Sequence, residues 1–206
     1  MKKGKDVRKC KDIHDDLKSL FNELRDEKKK KWDRVLPFEE LLFDRWENAK
    51  YLKAKKGSSV YHNCYVYGNV KIGKNTWIGP YTLLDGSGGQ IKIGDYCTIS
   101  SGVHIYTHNA VKWILTSGKT DYDKKSVKIG NNTYIGPYAV LSMKASLGKY
   151  CVVGAQSFVN SPIPNNSIVA GVPGKIIGKV KISKNNAELV YFKKDEMLES
   201  SSYRKD

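Results

Sequence analysis

Residues 60–105 read VYHNCYVYGNVKIGKNTWIGPYTLLDGSGGQIKIGDYCTISSGVHI, and residues 127–159 read VKIGNNTYIGPYAVLSMKASLGKYCVVGAQSFV. An aliphatic residue returns every sixth position at Val60, Val66, Ile72, Ile78 and Leu84, then at Ile93, Ile99 and Ile105, and again at Ile129, Ile135, Leu141, Leu147, Val153 and Val159. Gly73, Gly79, Gly94, Gly130, Gly136, Gly148 and Gly154 each follow directly. An α-helix repeats near 3.6 residues and an isolated strand at 2, so a period of six points to a coiled parallel β-structure built from short rungs.

A second track runs in phase with the first. Two residues before successive aliphatic positions stand Cys64, Val70, Thr76, Thr82, Cys97, Val103, Thr133, Ala139, Ala145, Cys151, Ser157 and Ile163, all uncharged and small or medium-sized. Residues two apart in a strand face the same way, so both tracks point inward. Lys, Asn, Asp, Tyr and Gly fill the remaining positions and suit solvent and corners, where Gly and Asn tolerate positive φ.

This pattern resembles the hexapeptide-repeat transferases over roughly Val60 to Val180. The resemblance implies a mainly β fold, a left-handed parallel β-helix with three rungs per coil, and a homotrimer that binds acyl-CoA between neighbouring subunits. Residues 1–57 are expected to form an N-terminal helical segment, 58–180 the β-helix with an ejected loop at 107–126, and 181–206 a C-terminal helical tail. Ile13, Leu17, Leu20, Phe21 and Leu24 predict an amphipathic helix over 11–34, and Pro37 opens a second helix over about 38–53. These helices are expected to cap the β-helix or contribute to subunit contacts. A short helix is expected over 187–197, with a frayed SSSYRKD end.

Composition narrows the function classes. The 206 residues suffice for one sizeable core, and no apolar run approaches the roughly 20 residues of a membrane span. The start MKKGKDVRKCKD lacks an apolar segment behind its charge, so it does not read as a secretory signal, and a cytoplasmic setting is expected. The net charge of +15 raises the question of nucleic acid, but Lys28 to Lys31 lie among acids in RDEKKKKWDR and no nucleic-acid module accompanies them. An anionic small molecule or an acidic membrane surface accounts for such a charge equally well. Cys64, Cys97 and Cys151 fall on the inward track, which argues against disulfides and a thiol nucleophile, and the His and Cys spacing fits no zinc site. The same shortage of His argues against a hexapeptide carbonic anhydrase.

Chemistry is expected where the beat breaks. Nine residues instead of six separate Leu84 from Ile93, with the excess in DGSGGQ at 85–90, and the pattern is lost after Ile105 until Val127. With 18 residues per coil, or 21 across the first insertion, Leu84 stacks under Ile105 and Ile105 under Leu141. Both insertions then leave from one edge on adjacent coils, about 4.8 Å apart.

On that edge His108 is the expected general base, since imidazole titrates near 6.5 and is largely free to take a proton at neutral pH. Thr107 and His108 resemble the Thr-His segment that carries the base in the family's sugar acetyltransferases. Asp85 would orient His108 or hold the acceptor, Ser87 would contribute a hydroxyl, Trp113 would cover the acceptor, and Thr107 is counted with the substrate-binding residues. His104 is the second candidate base, while Asp95 reads as a corner residue. The ending IVAGVPGKIIGKV resembles the family's closing signature, which implies CoA phosphate contacts at Lys175 and Lys179 and pantetheine contacts along Gly136, Pro137 and Ala155. Asn160 and Ser161 stand where many members have Thr-Lys, and Asn160 is counted with the cofactor residues. The expected reaction is direct acyl transfer from acetyl-CoA or another acyl-CoA, without a metal. The expected acceptor is the amino group of a nucleotide-linked amino-deoxysugar of surface-polysaccharide biosynthesis. The alternatives are O-acetylation of a glycan precursor and a non-catalytic assembly module.

Overall fold

A computed structural model describes residues 4–193. The chain divides between Arg45 and Trp46 into two compact units.

In the N-terminal unit the first helix, Gly4–Trp32, exceeds the expected span at its start. Asp33 ends it by taking a left-handed φ of 51°, with its N–H on the Lys29 carbonyl and its carboxylate on the Lys29 ammonium. Phe21 packs edge-on against Phe38, while Ile13 and Leu17 of the predicted stripe remain exposed.

The second helix differs from expectation. It forms as two pieces, Phe38–Leu42 and Arg45–Tyr51, because Phe43 is extended at φ −127° and ψ 144°. The second piece belongs to the β-helix. Ala49 joins the solenoid core, Leu52 and Ala54 pack against it, and Asn48 Nδ2 donates to the carbonyls of Val60 and Tyr61. This capping role moves the unit boundary from the expected 57 back to 45.

The repeat folds as its period predicts. Short parallel strands stack on three faces. The first carries Val60, Ile78, Ile99, Ile135, Val153 and Val169; the second Val66, Leu84, Ile105, Leu141 and Val159; the third Ile72, Ile93, Ile129, Leu147 and Ile163. Each aliphatic residue sits on the equivalent residue of the next coil, and together they make one core with Cys97, Val103, Ala139, Ala145 and Cys151. Ile163, expected on the second track, instead continues the aliphatic ladder over Leu147.

Corner glycines serve a different purpose from the one expected. Gly73, Gly94, Gly130 and Gly148 do not have positive φ, but a Cβ on Gly130 would lie 2.4 Å from the Gly148 backbone, and one on Gly73 2.3 Å from the Gly94 carbonyl. These corners need glycine for space. The left-handed positions are filled instead by Asn75, Tyr96, Asn132, Tyr150 and Asn166 at one corner and by Tyr81, Tyr138 and Gln156 at another. A left-handed tyrosine costs about 1–2 kcal/mol. The compensation is visible, since the N–H groups of Tyr96, Tyr138 and Tyr150 donate to the preceding coil at Lys74, Ser101 and Asn131.

At the C-terminal end the tail also departs from expectation. Ser167–Ala170, Lys175–Ser183 and Asn186–Tyr191 form an antiparallel extension of the first face, so a strand stands where a helix over 187–197 was expected. Alternation in the KIIGKVKIS strand, with Gly178 and Val180 buried between exposed Lys179 and Lys181, carries the strand signal. The remainder of that expected helix and the SSSYRKD end lie outside the described residues.

Two predictions follow from the coil. Gly130→Ala should lower stability to chemical denaturation by about 1–3 kcal/mol, because backbone rather than a flexible side chain stands in the way. Burial pushes the Cys97 and Cys151 thiols above their usual pKa, so iodoacetamide should label exposed Cys10 in the native protein and reach Cys97 and Cys151 only after denaturation, as read by peptide mass spectrometry.

Candidate active site

The corner between the second and third faces holds both breaks of the beat. Leu83, Leu84 and Asp85 pair with His104, Ile105 and Tyr106, and Ile105 pairs with Leu141, which is the register that counting through the insertion predicts. The first insertion is not a loop. Leu83–Ile93 runs as one strand across the corner, and Ser87–Gln90 is taken up as an irregularity opposite Asn69. Only the second insertion leaves the coil. It departs along His108–Asn109, forms the short helix Val111–Leu115, and returns along Asp123–Lys124, which pairs antiparallel with the departing strand.

Thr107 anchors this loop to the coil below. It is fully buried, its Oγ1 donates to the Asp85 carbonyl at 2.7 Å and accepts from the Gly88 N–H at 3.0 Å. Its own N–H also donates to Asp85 O, and its carbonyl accepts from Lys125 N. Thr107 is therefore a clasp inside the fold, with its hydroxyl engaged by the coil below, contrary to its expected place among the substrate-binding residues. Gly88 is required beneath it, since a Cβ there would lie 2.5 Å from the His108 Cβ.

The clasp brings Asp85 and His108 together. Asp85 Oδ1 accepts from Ser87 N at 3.1 Å, and Oδ2 faces His108 Nδ1 at 3.7 Å. Both side chains are mostly buried, at 15% and 25% relative exposure. At 3.7 Å the contact is beyond hydrogen-bond length, and buried Nδ1 makes no hydrogen bond among the described residues.

The other predicted residues divide by location. Ser87 is exposed and meets Asp85 through its backbone. His104 lies outside the Asp85–His108 pair, with Nδ1 at 3.1 Å from the Tyr106 hydroxyl. Trp113 packs edge-on against Tyr122, which in turn stacks on His108. Asp95 is a corner residue, as expected, accepting from Lys74 N and Asn132 N. Gly136, Pro137 and Ala155 stack at a different corner, between the first and second faces, and the 171–174 turn closes that column through Gly174 N to Phe158 O. Lys175, paired with Ala170, begins the strand leaving that turn, whereas Lys179 sits farther along it opposite Ser167; both are exposed. Within one chain the structure thus separates these residues from the His108 corner.

Asn160 remains at the His108 corner. With Ser161, Pro162, Met143, Lys144, Lys112, Asp123, Lys124 and Lys125 it lines a cleft of about 470 Å³. His108 is not in its lining, but its ladder partner Lys124 is, and Asn109 Nδ2 reaches Met143 Sδ at 3.6 Å. Four lysines against one aspartate, which is itself paired with Lys112 at 3.0 Å, make this a cationic cleft. Lys144 was within reach of the register count, standing three residues after Leu141. Lys124, Lys125 and Tyr122 belong to the returning arm of the loop, where no period assigns a position. Among the described residues no three His, Cys, Asp or Glu side chains gather as a metal site, and no helix is long and apolar enough to cross a membrane.

Thr107→Val should lower stability by about 1–3 kcal/mol by stranding the Gly88 N–H, and Thr107→Ser should recover most of the loss, as measured by denaturant midpoints.

Comparison with known proteins agrees with this architecture. Residues 126–161 match the family Bacterial transferase hexapeptide (six repeats). The galactoside O-acetyltransferase of Escherichia coli K12 is 32% identical over 140 residues, covering 66% of each chain, so the chain spans just under two thirds of that relative's length. Among solved structures, the hexapeptide-repeat acetyltransferase of Vibrio cholerae O1 biovar eltor complexed with acetyl coenzyme A superposes with a TM-score of 0.54 at 23% identity, over 82% of this chain and 89% of that one. AntD, an N-acyltransferase from Bacillus cereus in complex with dTDP and 3-hydroxybutyryl-CoA, superposes with a TM-score of 0.52 at 19% identity, over 79% and 96%. At these identities the two structures speak for the fold alone. From its six-residue beat, its stacked three-faced coil and its relatives, the chain belongs to the hexapeptide-repeat transferase family.

Proposed function

We propose that the protein is an acyl-CoA-dependent acyltransferase that transfers an acyl group, most simply acetyl, directly to a sugar, with His108 as general base. The observation that carries this reading is the approach of His108 Nδ1 to Asp85 Oδ2 at 3.7 Å on the edge where both breaks of the repeat meet. In the reaction His108 takes the proton of the attacking hydroxyl or amine. The new C–O or C–N bond forms at the thioester carbonyl, the C–S bond breaks, and the CoA thiolate leaves and is protonated. Asp85 stabilises the imidazolium between those two proton transfers. The cationic cleft suits a polyanion such as CoA, whose phosphates would lie against Lys112, Lys124, Lys125 or Lys144 near Asn160.

Gly136, Pro137, Ala155 and Lys175 occupy another corner of the chain. Their expected role on the pantetheine and phosphates therefore requires a second copy to bring that corner to His108, which is the reason for including a homotrimer in this proposal. Lys179, on the strand beyond Lys175, would assist there. An acyl-CoA donor goes with a cytoplasmic reaction.

Two acceptors are in contention. The charge of +15 and the basic cleft favour an anionic acceptor, as a nucleotide-linked amino-deoxysugar would be. The 32% identity to a galactoside O-acetyltransferase favours O-acetylation of a glycan or its precursor. Mass spectrometry of products from acetyl-CoA with a panel of dTDP-amino sugars, UDP-amino sugars and galactosides separates them. Acetylation confined to galactosides would overturn the amino-sugar reading.

His108→Ala should lower turnover about 10²- to 10⁴-fold while leaving CoA affinity by calorimetry within about threefold. Unchanged turnover would remove His108 from the mechanism. Light scattering should report the mass of three chains, and a monomer turning over at the full rate would contradict a site completed by a neighbouring copy.

A further inference from the structure

The loop that leaves the coil at His108 brings back a residue that the base assignment leaves without a role. Tyr122, immediately before the returning strand, lies against the imidazole with ring centroids 6.0 Å apart and planes only 14° from parallel, the geometry of an offset stack. Trp113, from the short helix of the same loop, meets the Tyr122 ring edge-on at 5.7 Å and 70°. On either side of this stack the loop is braced by the Lys112–Asp123 ion pair at 3.0 Å and by the pairing of His108 and Asn109 with Lys124 and Asp123.

An imidazole on a strand end retains two side-chain torsions, and a base that rotates loses its aim. The groups around His108 restrain it unequally. Gly88 and the ladder fix its backbone and Cβ, but Asp85 Oδ2, at 3.7 Å, is too far to hold the ring by a hydrogen bond. The plane of the ring is restrained by the Tyr122 face. The loop's aromatic pair therefore has a use that its sequence, free of any motif, does not announce.

We propose that Tyr122 is a positioning residue that holds the His108 imidazole in its reactive orientation by stacking, with Trp113 buttressing it from behind. The inference rests on the reading of His108 as general base. It assigns the effect to the aromatic face of Tyr122 and none to its hydroxyl, and it makes the 107–126 loop part of the proton-transfer apparatus as well as a cover for the acceptor.

A double-mutant cycle in the full chain tests it, using single-turnover rates of acetyl-CoA thioester cleavage so that slow variants remain measurable. The acceptor is the sugar identified by the product panel, or water where none is acetylated. Tyr122→Leu should lower the rate about tenfold with the KM for acetyl-CoA within twofold, and Tyr122→Phe should retain at least half the rate. In a His108→Ala background, Tyr122→Leu should cost less than a further twofold, because no imidazole remains to be positioned. An equal loss in both backgrounds would overturn the inference and leave the base assignment standing. So would a Phe variant as slow as Leu, which would transfer the role to the hydroxyl. Undiminished rates in His108→Ala alone would overturn the base assignment and this inference with it. Thermal melting of each variant, expected within a few degrees of the parent protein, confirms that the rates are those of folded chains.

Discussion

Backbone approaches backbone most closely at the corner between the third and first faces, and the coil's register is set there. There Gly73, Gly94, Gly130 and Gly148 donate their N–H groups to Ile93, Ile129, Leu147 and Ile163 on the next coil. Buried backbone groups that miss their partners cost more than most side-chain contacts return, so each coil must lie in register on its neighbour. Glycine makes the approach possible, because any Cβ would strike the coil it stacks on. The aliphatic ladders then follow: with the register locked, Val60 through Val169 on one face, and their counterparts on the other two, fall on each other with no freedom to slip.

A scaffold this rigid converts distance along the chain into position in space. Asp85 and Thr107 are 22 residues apart, yet the Thr107 hydroxyl lies 2.7 Å from the Asp85 carbonyl because one coil separates them. That one buried threonine joins the floor of the site to the base of the loop, so the Asp85–His108 approach inherits the precision of the core. The two insertions are spent differently. The first is absorbed into a longer strand that presents Asp85 and leaves room beside Gly88, while the second builds a ribbon and a short helix that carry Tyr122 and Trp113 back over His108.

Legibility of this protein in its sequence follows the period. Wherever the six-residue beat holds, every rung and its inward neighbour can be placed, and counting through the nine-residue interval puts Leu84 under Ile105 correctly. Where the beat ends, prediction fails for identifiable reasons. Phe43 breaks the second helix with neither glycine nor proline to announce it, and Ala49 then enters the solenoid core. Asn186–Tyr191 pairs as an edge strand because Lys175–Ser183 is available beside it, although its own residues also suit a helix. The left-handed tyrosines at 81, 96, 138 and 150 run against local preference. For Tyr96, Tyr138 and Tyr150, hydrogen bonds to the preceding coil compensate.

The coil, its register and the edge on which chemistry is to be sought can be read from residue order, since a strict period allows position to be counted and burial to be read from residue type. What occupies that edge is visible in the folded chain alone: Thr107 is a buried clasp, Asp85 reaches His108 without a hydrogen bond, four lysines share a cleft with Asn160, and Tyr122 stacks on the imidazole. The physical reason is that these contacts join an aperiodic loop to separate coils. Their geometry depends on how the loop folds back, and nothing repeats along it from which that path could be counted.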